Sequence, residues 1–351
     1  MPEFKVGILS FCFNHSRFLK KTIDGFSSQK TDFKYVAVVI DDASTDGSQE
    51  VIEGYLNEHF TDSEDIPQVR QETADANILF LNHKKNKNFY IVVILLKYNY
   101  FQLKKSKGQI ISEWLDGAKY WAYCECDDYW IDENKLQEQV DFLDNNSDYG
   151  FLYTDFDIKN YDNGEYIQGA FRNGIKPVIN SFEQHLVSRA YIAPMTWMAR
   201  IPFSEIMNSY HGPDSIDLTF IIALELFSRT KVHYIDKVTS VYTRHLGSAT
   251  KQPSLAKQYD YDHGVYATQK YYLDKYNLRE NHPTCLDYFL NAYYCYIITE
   301  KKADDYEEVL AFFKRKKDVS LKFNIFERLM GKSYLFPILR IICKIRLLRQ
   351  R

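Results

Sequence analysis

Three short apolar runs in the first 130 residues each break off into polar or acidic residues, and this constrains the fold more than any other feature. Val6 to Phe11 runs on into Phe13-Asn14. Tyr35 to Ile40 runs into Asp41-Asp42-Ala-Ser-Thr-Asp46-Gly-Ser48. Tyr120 to Cys124 runs into Glu125-Cys-Asp127-Asp128-Tyr-Trp. Short apolar runs bounded by polar loops read as buried strands. Helical patterns follow the first two. Phe18, Leu19, Ile23 and Phe26 share one face, with Asn14 and Ser16 as caps, and Val51, Ile52, Tyr55 and Leu56 form the next apolar face. The alternation predicts an α/β fold with a mostly parallel sheet flanked by helices. Open parallel sheets bind ligands at the carboxyl ends of their strands, so the three polar segments are expected along one crevice.

The third segment carries the most chemistry. Glu125, Asp127 and Asp128 stand where an apolar stretch stops. Unpaired buried charge is costly, so acids there call for a cation. An acidic turn opening the next helix is the alternative, because acids also favour helix N-termini. The second acid pair, Asp41-Asp42, at a different strand end favours the crevice.

Further along, Ile78 to Leu81 is expected as a strand and Ile91 to Lys107 as a helix. Asp132 is placed to cap a helix bearing Leu136, Val140 and Leu143. Gly150 to Thr154 reads as a short strand, residues 155–180 as a β-ribbon turning at Asp162-Asn163-Gly164, and Pro194 to Ala199 as strand-like. Ile216 to Ser228 reads as a helix and Lys231 to Tyr242 as extended. From about residue 255 the pattern is helical.

Composition excludes several classes. A formal net charge of −3 offers no case for nucleic acid. Six cysteines without a C-x-x-C pair argue against a zinc site or a disulfide framework, and free thiols fit a reducing cytosol. No Walker loop and no G-x-G-x-x-G is present. The N-terminus lacks the build of a signal peptide. The longest apolar run, Ile91 to Leu96, is far shorter than the roughly 18 residues that span a bilayer.

Over about residues 4–250 the chain resembles the family 2 glycosyltransferases of the GT-A fold. The resemblance rests on Phe13-Asn14 after the first strand, on Asp41-Asp42-Ala-Ser-Thr-Asp46, and on Glu125-Cys-Asp127-Asp128, which is similar to the family's D-x-D motif with Glu in the first place. It implies a GT-A catalytic domain over 1–250, with a nucleotide-sugar half (1–130) and an acceptor half (131–250), and a helical C-terminal region over 251–351. It implies a nucleotide-sugar donor, UDP-linked in the first instance, and a divalent metal, Mn2+ or Mg2+. Asp127 would ligate the metal. Glu125 would face the ribose or the metal's water shell, and Asp128 would orient the donor or the ligands. Asp42 and Asp41 would accept hydrogen bonds from base or ribose, with Phe11 and Phe13 packed near the base. Lys97 stands where relatives carry a basic residue near the donor, and a solvated helix lysine is its other reading. His245 stands where such enzymes place a diphosphate or metal contact. Asp217 resembles the family's catalytic base, with Asp214 as a rival and a helix cap as the plain alternative. Trp130, Trp197 and Met198 are acceptor-pocket candidates of residue types that also fill cores.

The expected activity is metal-dependent, inverting transfer of a sugar to a hydroxyl on a glycan, lipid-linked or free. A sugar nucleotidyltransferase is the rival enzyme, although Ser10 to Arg17 lacks the glycine its phosphate loop needs. An inactive nucleotide-sugar-binding scaffold is the rival outside catalysis. From Lys314 to Arg351 twelve Lys or Arg stand against two acids. Within 334–351, Leu335, Ile338, Ile342, Ile345 and Leu348 share a face, the makeup of an interfacial helix on anionic lipid. The location expected is the cytoplasm, at the inner face of a bacterial cell membrane.

Overall fold

The computed structural model describes residues 2–62, 65, 69–189, 191–213, 217–246 and 255–286, together with 311, 314, 325, 328–329 and 332–349. Twelve strands among these join one sheet. They are β1 (Val6–Cys12), β2 (Tyr35–Asp41), β3 (Phe60–Thr61), β4 (Arg70–Glu72), β5 (Ala76–His83), β6 (Phe89–Leu96), β7 (Tyr120–Tyr123), β8 (Tyr129–Trp130), β9 (Tyr149–Asn160), β10 (Tyr166–Ile167), β11 (Met198–Ala199) and β12 (Lys231–Arg244). The helices are α1 (Leu19–Ser27), α2 (Ser48–His59), α3 (Gly108–Leu115), α4 (Lys135–Asn145), α5 (Phe182–Ser188), α6 (Phe203–Ser209), α7 (Leu218–Arg229), α8 (Leu255–Lys275) and α9 (Phe336–Arg349).

The strand order is β3-β5-β6-β2-β1-β7-β11-β9-β12-β8. β6, β2, β1 and β7 pair in parallel, as do β9 and β12. β11 runs antiparallel between β7 and β9, and β5 closes the other side antiparallel to β6. This is the mostly parallel α/β sheet flanked by helices that the alternating pattern predicts. Every residue of β2 and β6 is buried, which is why both read as continuous apolar runs instead of alternating ones.

Several expected elements take another form. Ile91 to Lys107 is not a helix. Phe89–Leu96 is a central strand whose neighbours β2 and β5 complete its hydrogen bonds, and turns lead from there to α3. Asn14 and Ser16 do not cap α1, which starts behind Phe18 without a side-chain cap. Asn14 instead takes a left-handed backbone, and its Oδ1 accepts from Thr45 N at 2.8 Å. The strand at Gly150 extends to Asn160. Two buried acids interrupt its apolar pattern, and both are satisfied by backbone: Asp155 accepts from Phe171 N and Arg172 N, and Asp157 from Gly169 N.

α1 lies close against the acid-bearing segment. A Cβ on Gly25 would come within 2.9 Å of both Trp130 N and Trp130 O, so only glycine allows this approach. Thr22 Oγ1 donates to the carbonyls of Cys126 (3.0 Å) and Asp128 (2.6 Å). Under the same segment, Cys124 and Cys126 are fully buried, and Cys126 Sγ lies 3.2 Å from Ser10 Oγ. Burial pushes both thiols well above their usual range.

The described chain divides into two units. One comprises Met1–His185, Arg189–His211 and Ile222–His245, and holds the sheet. The other comprises Leu186–Ser188, Gly212–Ile221 and Leu246–Arg351, and includes α8 and α9. No helix among the described residues is long and apolar enough to cross a membrane.

Lys135 opens α4 fully buried, with its ammonium 4.3 Å from the centre of the Trp130 ring and donating to Gln139 Oε1 at 2.7 Å. Burial lowers its pKa to about 7 from an ordinary 10.5. Between those values the unfolded chain binds the extra proton, so this lysine costs stability near neutral pH, and the cost fades as pH rises. Lys135→Met should therefore raise the unfolding free energy at pH 7. The gain over wild type should shrink toward about pH 9.5, by at most about 1.4 kcal/mol per pH unit. Urea titrations of both proteins at the two pH values check this, and a gain independent of pH would show that the ammonium is not its source.

Candidate active site

The crevice is assembled by backbone ties that extend past the strand ends. Cys124 N donates to Leu9 O and Cys126 N to Phe11 O, each at 3.0 Å, so the β1–β7 ladder continues into the acids. Asp42 N donates to Cys12 O at 2.9 Å on the other side of β1. The ends of β1, β2 and β7 are thereby held in register. β12 is tied in by Thr243 N, which donates to Asp128 Oδ1 at 2.8 Å.

Asp127 Oδ2 lies 3.1 Å from His245 Nε2 and 3.9 Å from His15 Nε2. One ligand atom from each of the three residues falls within 4.8 Å of the other two. Two imidazole nitrogens and one carboxylate oxygen suit a divalent cation. Metal–ligand bonds near 2.1 Å put ligand atoms roughly 3–4.2 Å apart, so only a small inward movement is needed. Burial lowers the pKa of His15 and favours the neutral imidazole that ligates metals. His15 Nδ1 is buried without a hydrogen-bond partner among the described residues, so no protein acceptor orients this ring from behind. Its backbone is anchored instead, His15 N donating to Ser48 Oγ at 3.1 Å.

The flanking acids play different parts. Asp128 is buried, and burial, with Asp127 adding to it, raises its pKa well above the ordinary carboxylate range. Glu125 is half-buried and accepts a hydrogen bond from the Tyr123 hydroxyl. Burial and then the charge of Asp127 push its pKa up to about 8, against the opposing pull of Tyr123 and Lys107.

At the end of β2, Asp41 is fully buried and builds its own loop. Its carboxylate accepts from Ser44 N (3.0 Å), from the Ser44 hydroxyl and from Gln49 Nε2 (2.6 Å). Asp42 accepts from Tyr100 N at 2.7 Å, Phe101 N at 3.2 Å and Lys107 Nζ at 2.9 Å. Lys107 also stands 5.8 Å from the centre of the half-buried Phe11 ring. Phe13 is 42% exposed. Lys97 follows strand β6 and is not a helix lysine. Its ammonium is engaged by Glu72 at 2.8 Å and by the carbonyl of Thr73 at 2.9 Å. The lysine that reaches Asp42 is Lys107.

Asp217 lies in the second unit, where its Oδ1 accepts from Phe220 N (3.1 Å) and the Thr219 hydroxyl (2.8 Å), capping α7. Its Oδ2 accepts from the Tyr261 hydroxyl at 2.9 Å. Asp214 lies outside the described residues. Trp130, Trp197 and Met198 are core residues, each exposed by 3% or less, and Trp130 Nε1 donates to Met195 O.

His15 and Lys107 are the residues the sequence did not single out. The partners of each are distant in the chain. His15 follows the end of β1, whereas Lys107 stands well past β6, directly before α3, among Lys104 and Lys105.

The structure of Staphylococcus aureus TarS 1–349 in complex with UDP-GlcNAc superposes with a TM-score of 0.50, covering 97% of this chain and 89% of that one at 15% identity. The mannosyltransferase PcManGT of Pyrobaculum calidifontis, in complex with GDP-Man and Mn2+, gives 0.49 at 11% identity, with 97% and 88% covered. The likeness to TarS is one of fold, a mixed α/β architecture with a mostly parallel central sheet flanked by helices. Uncharacterized proteins of Mycobacterium tuberculosis and Mycobacterium bovis are 30% identical over 140 residues, 40% of this chain. The chain spans about a third of the length of these curated relatives (31%). No family model matches the chain.

His15→Ala and His245→Ala should each weaken manganese binding by at least about tenfold, whereas Lys97→Ala should leave it unchanged. Manganese titration followed by electron paramagnetic resonance measures this. Unchanged affinity in both histidine variants would remove the ligand set.

Proposed function

We propose that this protein transfers a sugar from a nucleotide-diphosphate donor to an acceptor hydroxyl, with a divalent cation at His15, Asp127 and His245. The observation that carries this reading is the meeting of Asp127 with two histidines from distant segments, at the carboxyl end of a parallel sheet. The similarly folded structure that holds UDP-GlcNAc supports a uridine diphosphate donor. A bound Mn2+ or Mg2+ would supply positive charge to the departing diphosphate.

The chain's own groups supply the rest. Phe11 offers an aromatic edge for the base, and Asp42 with Lys107 holds the loop beside it. Glu125, two residues from Asp127, would face a ribose hydroxyl or a water held by the cation. Asp128 fixes the strand end of β12, and with it the approach to His245. The acceptor hydroxyl must lose a proton as its oxygen attacks, and Asp217 is the base we assign. A single displacement of this kind inverts the sugar carbon.

We place the protein at the inner face of a bacterial membrane, working on a lipid-linked glycan. Supporting this, α9 buries Leu339 and Cys343 and leaves Ile338, Ile341, Ile342 and Ile345 exposed by 43 to 61%, with Arg340 and Lys344 on the same helix. Exposed isoleucines beside cations suit an anionic lipid surface.

Asp127→Ala should abolish manganese-dependent UDP binding in calorimetry. Asp217→Asn should retain that binding and lower sugar transfer by about a hundredfold or more. Full transfer by the latter would move the base elsewhere. In flotation with phosphatidylglycerol vesicles, Ile338→Ser/Ile342→Ser should stay in the pellet while the wild-type chain rises. Equal flotation would remove the membrane assignment.

A further inference from the structure

Three cations gather around the ring of Tyr161, just past β9. Lys159 Nζ stands 4.8 Å from its centroid, Arg17 Cζ 5.5 Å and Lys21 Nζ 5.8 Å. Arg17 also lies 5.0 Å from the Phe18 ring and Lys21 5.2 Å from the Tyr129 ring, and Lys21 Nζ is 3.3 Å from the Tyr161 hydroxyl. Six lysines of the same unit, Lys5, Lys34, Lys97, Lys119, Lys231 and Lys237, each meet a carboxylate. Among the described residues, none of Arg17, Lys21 and Lys159 has such a partner. The acids that act on neighbouring Tyr129, Asp157 and Asp128, are already bound by Tyr166, Gly169 N and Thr243 N.

Three like charges repel one another, and aromatic faces offset only part of that. An anion would turn the repulsion into attraction. Phosphate suits such a group, because its oxygens accept from several cations at once. The place matters too. Tyr161 lies 5.0 Å from Phe18 centre to centre, and Phe18 lies 4.8 Å from His245, so one phenyl ring separates the platform from the cation ligands. The platform sits at the β9 side of the sheet, whereas Asp42 and Lys107 stand at the β2 side, with β1, β7 and β11 between them.

We propose that Arg17, Lys21 and Lys159 form a subsite for a phosphate group on the acceptor, and therefore that the acceptor is a phosphate-bearing molecule. This rests on the transfer reading above. The other source of the same chemistry is the donor's own diphosphate.

Calorimetric titration of the full chain separates the two, with glycerol phosphate as probe, glycerol as the uncharged control, and UDP with manganese as the donor-side probe. In Arg17→Gln/Lys21→Gln/Lys159→Gln, glycerol phosphate affinity should fall by at least about tenfold while UDP affinity stays within about twofold of wild type. Lys21→Arg should keep glycerol phosphate binding. If the triple variant is unfolded by circular dichroism, Lys21→Gln alone carries the test, with an expected loss of about threefold. Unchanged glycerol phosphate binding in a folded variant overturns the subsite. A parallel fall in UDP affinity overturns the acceptor assignment and gives the platform to the donor. Wild-type protein that binds glycerol phosphate but not UDP with manganese supports the anion subsite and overturns the transfer reading.

Discussion

Burying carboxylates close together is costly, and much of this structure surrounds one place where that has been done. Asp127, Asp128 and Glu125 sit at the end of β7, next to a core with almost no solvent. Each is compensated in a different way: Asp128 by the backbone of β12, Glu125 by a tyrosine hydroxyl and a raised pKa, and Asp127 by two histidines. These three solutions draw β1, β7 and β12 to one rim. A fold that left the same acids unpaired would lose several kcal/mol per charge.

That rim divides the labour. On one side, Asp42 and Lys107 pin the loop that follows β6 over the end of β2. On the other, Phe18 and Tyr161 continue a line of rings outward from His245. Between them the Asp127 cluster remains the one group of three potential metal ligands among the described residues. The rim thus sets the Asp42–Lys107 pair at one flank, a line of rings at the other, and the Asp127 cluster between them.

The strands that carry the acids were legible because their apolar runs are short and end abruptly. β1, β2 and β7 fall where the hydrophobic pattern put them, and the acids of β2 and β7 are at their ends. The sequence of β6 reads as part of a helix for a physical reason. A run buried on both faces has no period of two, and the same residues would suit a buried helix. The pattern of β9 predicts a shorter strand because Asp155 and Asp157 break its apolar run, and only the turn at 169–172 satisfies them. His15 was illegible because its value lies wholly in partners that the chain brings back much later. Lys97 stands where the family resemblance implies a basic residue near the donor, yet Glu72 takes it up and Lys107 meets Asp42.

The two thiols beneath the acids have a consequence of their own. Cys124 and Cys126 form the floor under Asp127, fully enclosed and held in the unreactive protonated state. Alkylating reagents attack the thiolate, so modification there must wait for the floor to lift. The rate at which these two positions are labelled is therefore a clock for breathing of the layer that carries the acids, kept by the protein's own atoms and needing no added probe in the crevice.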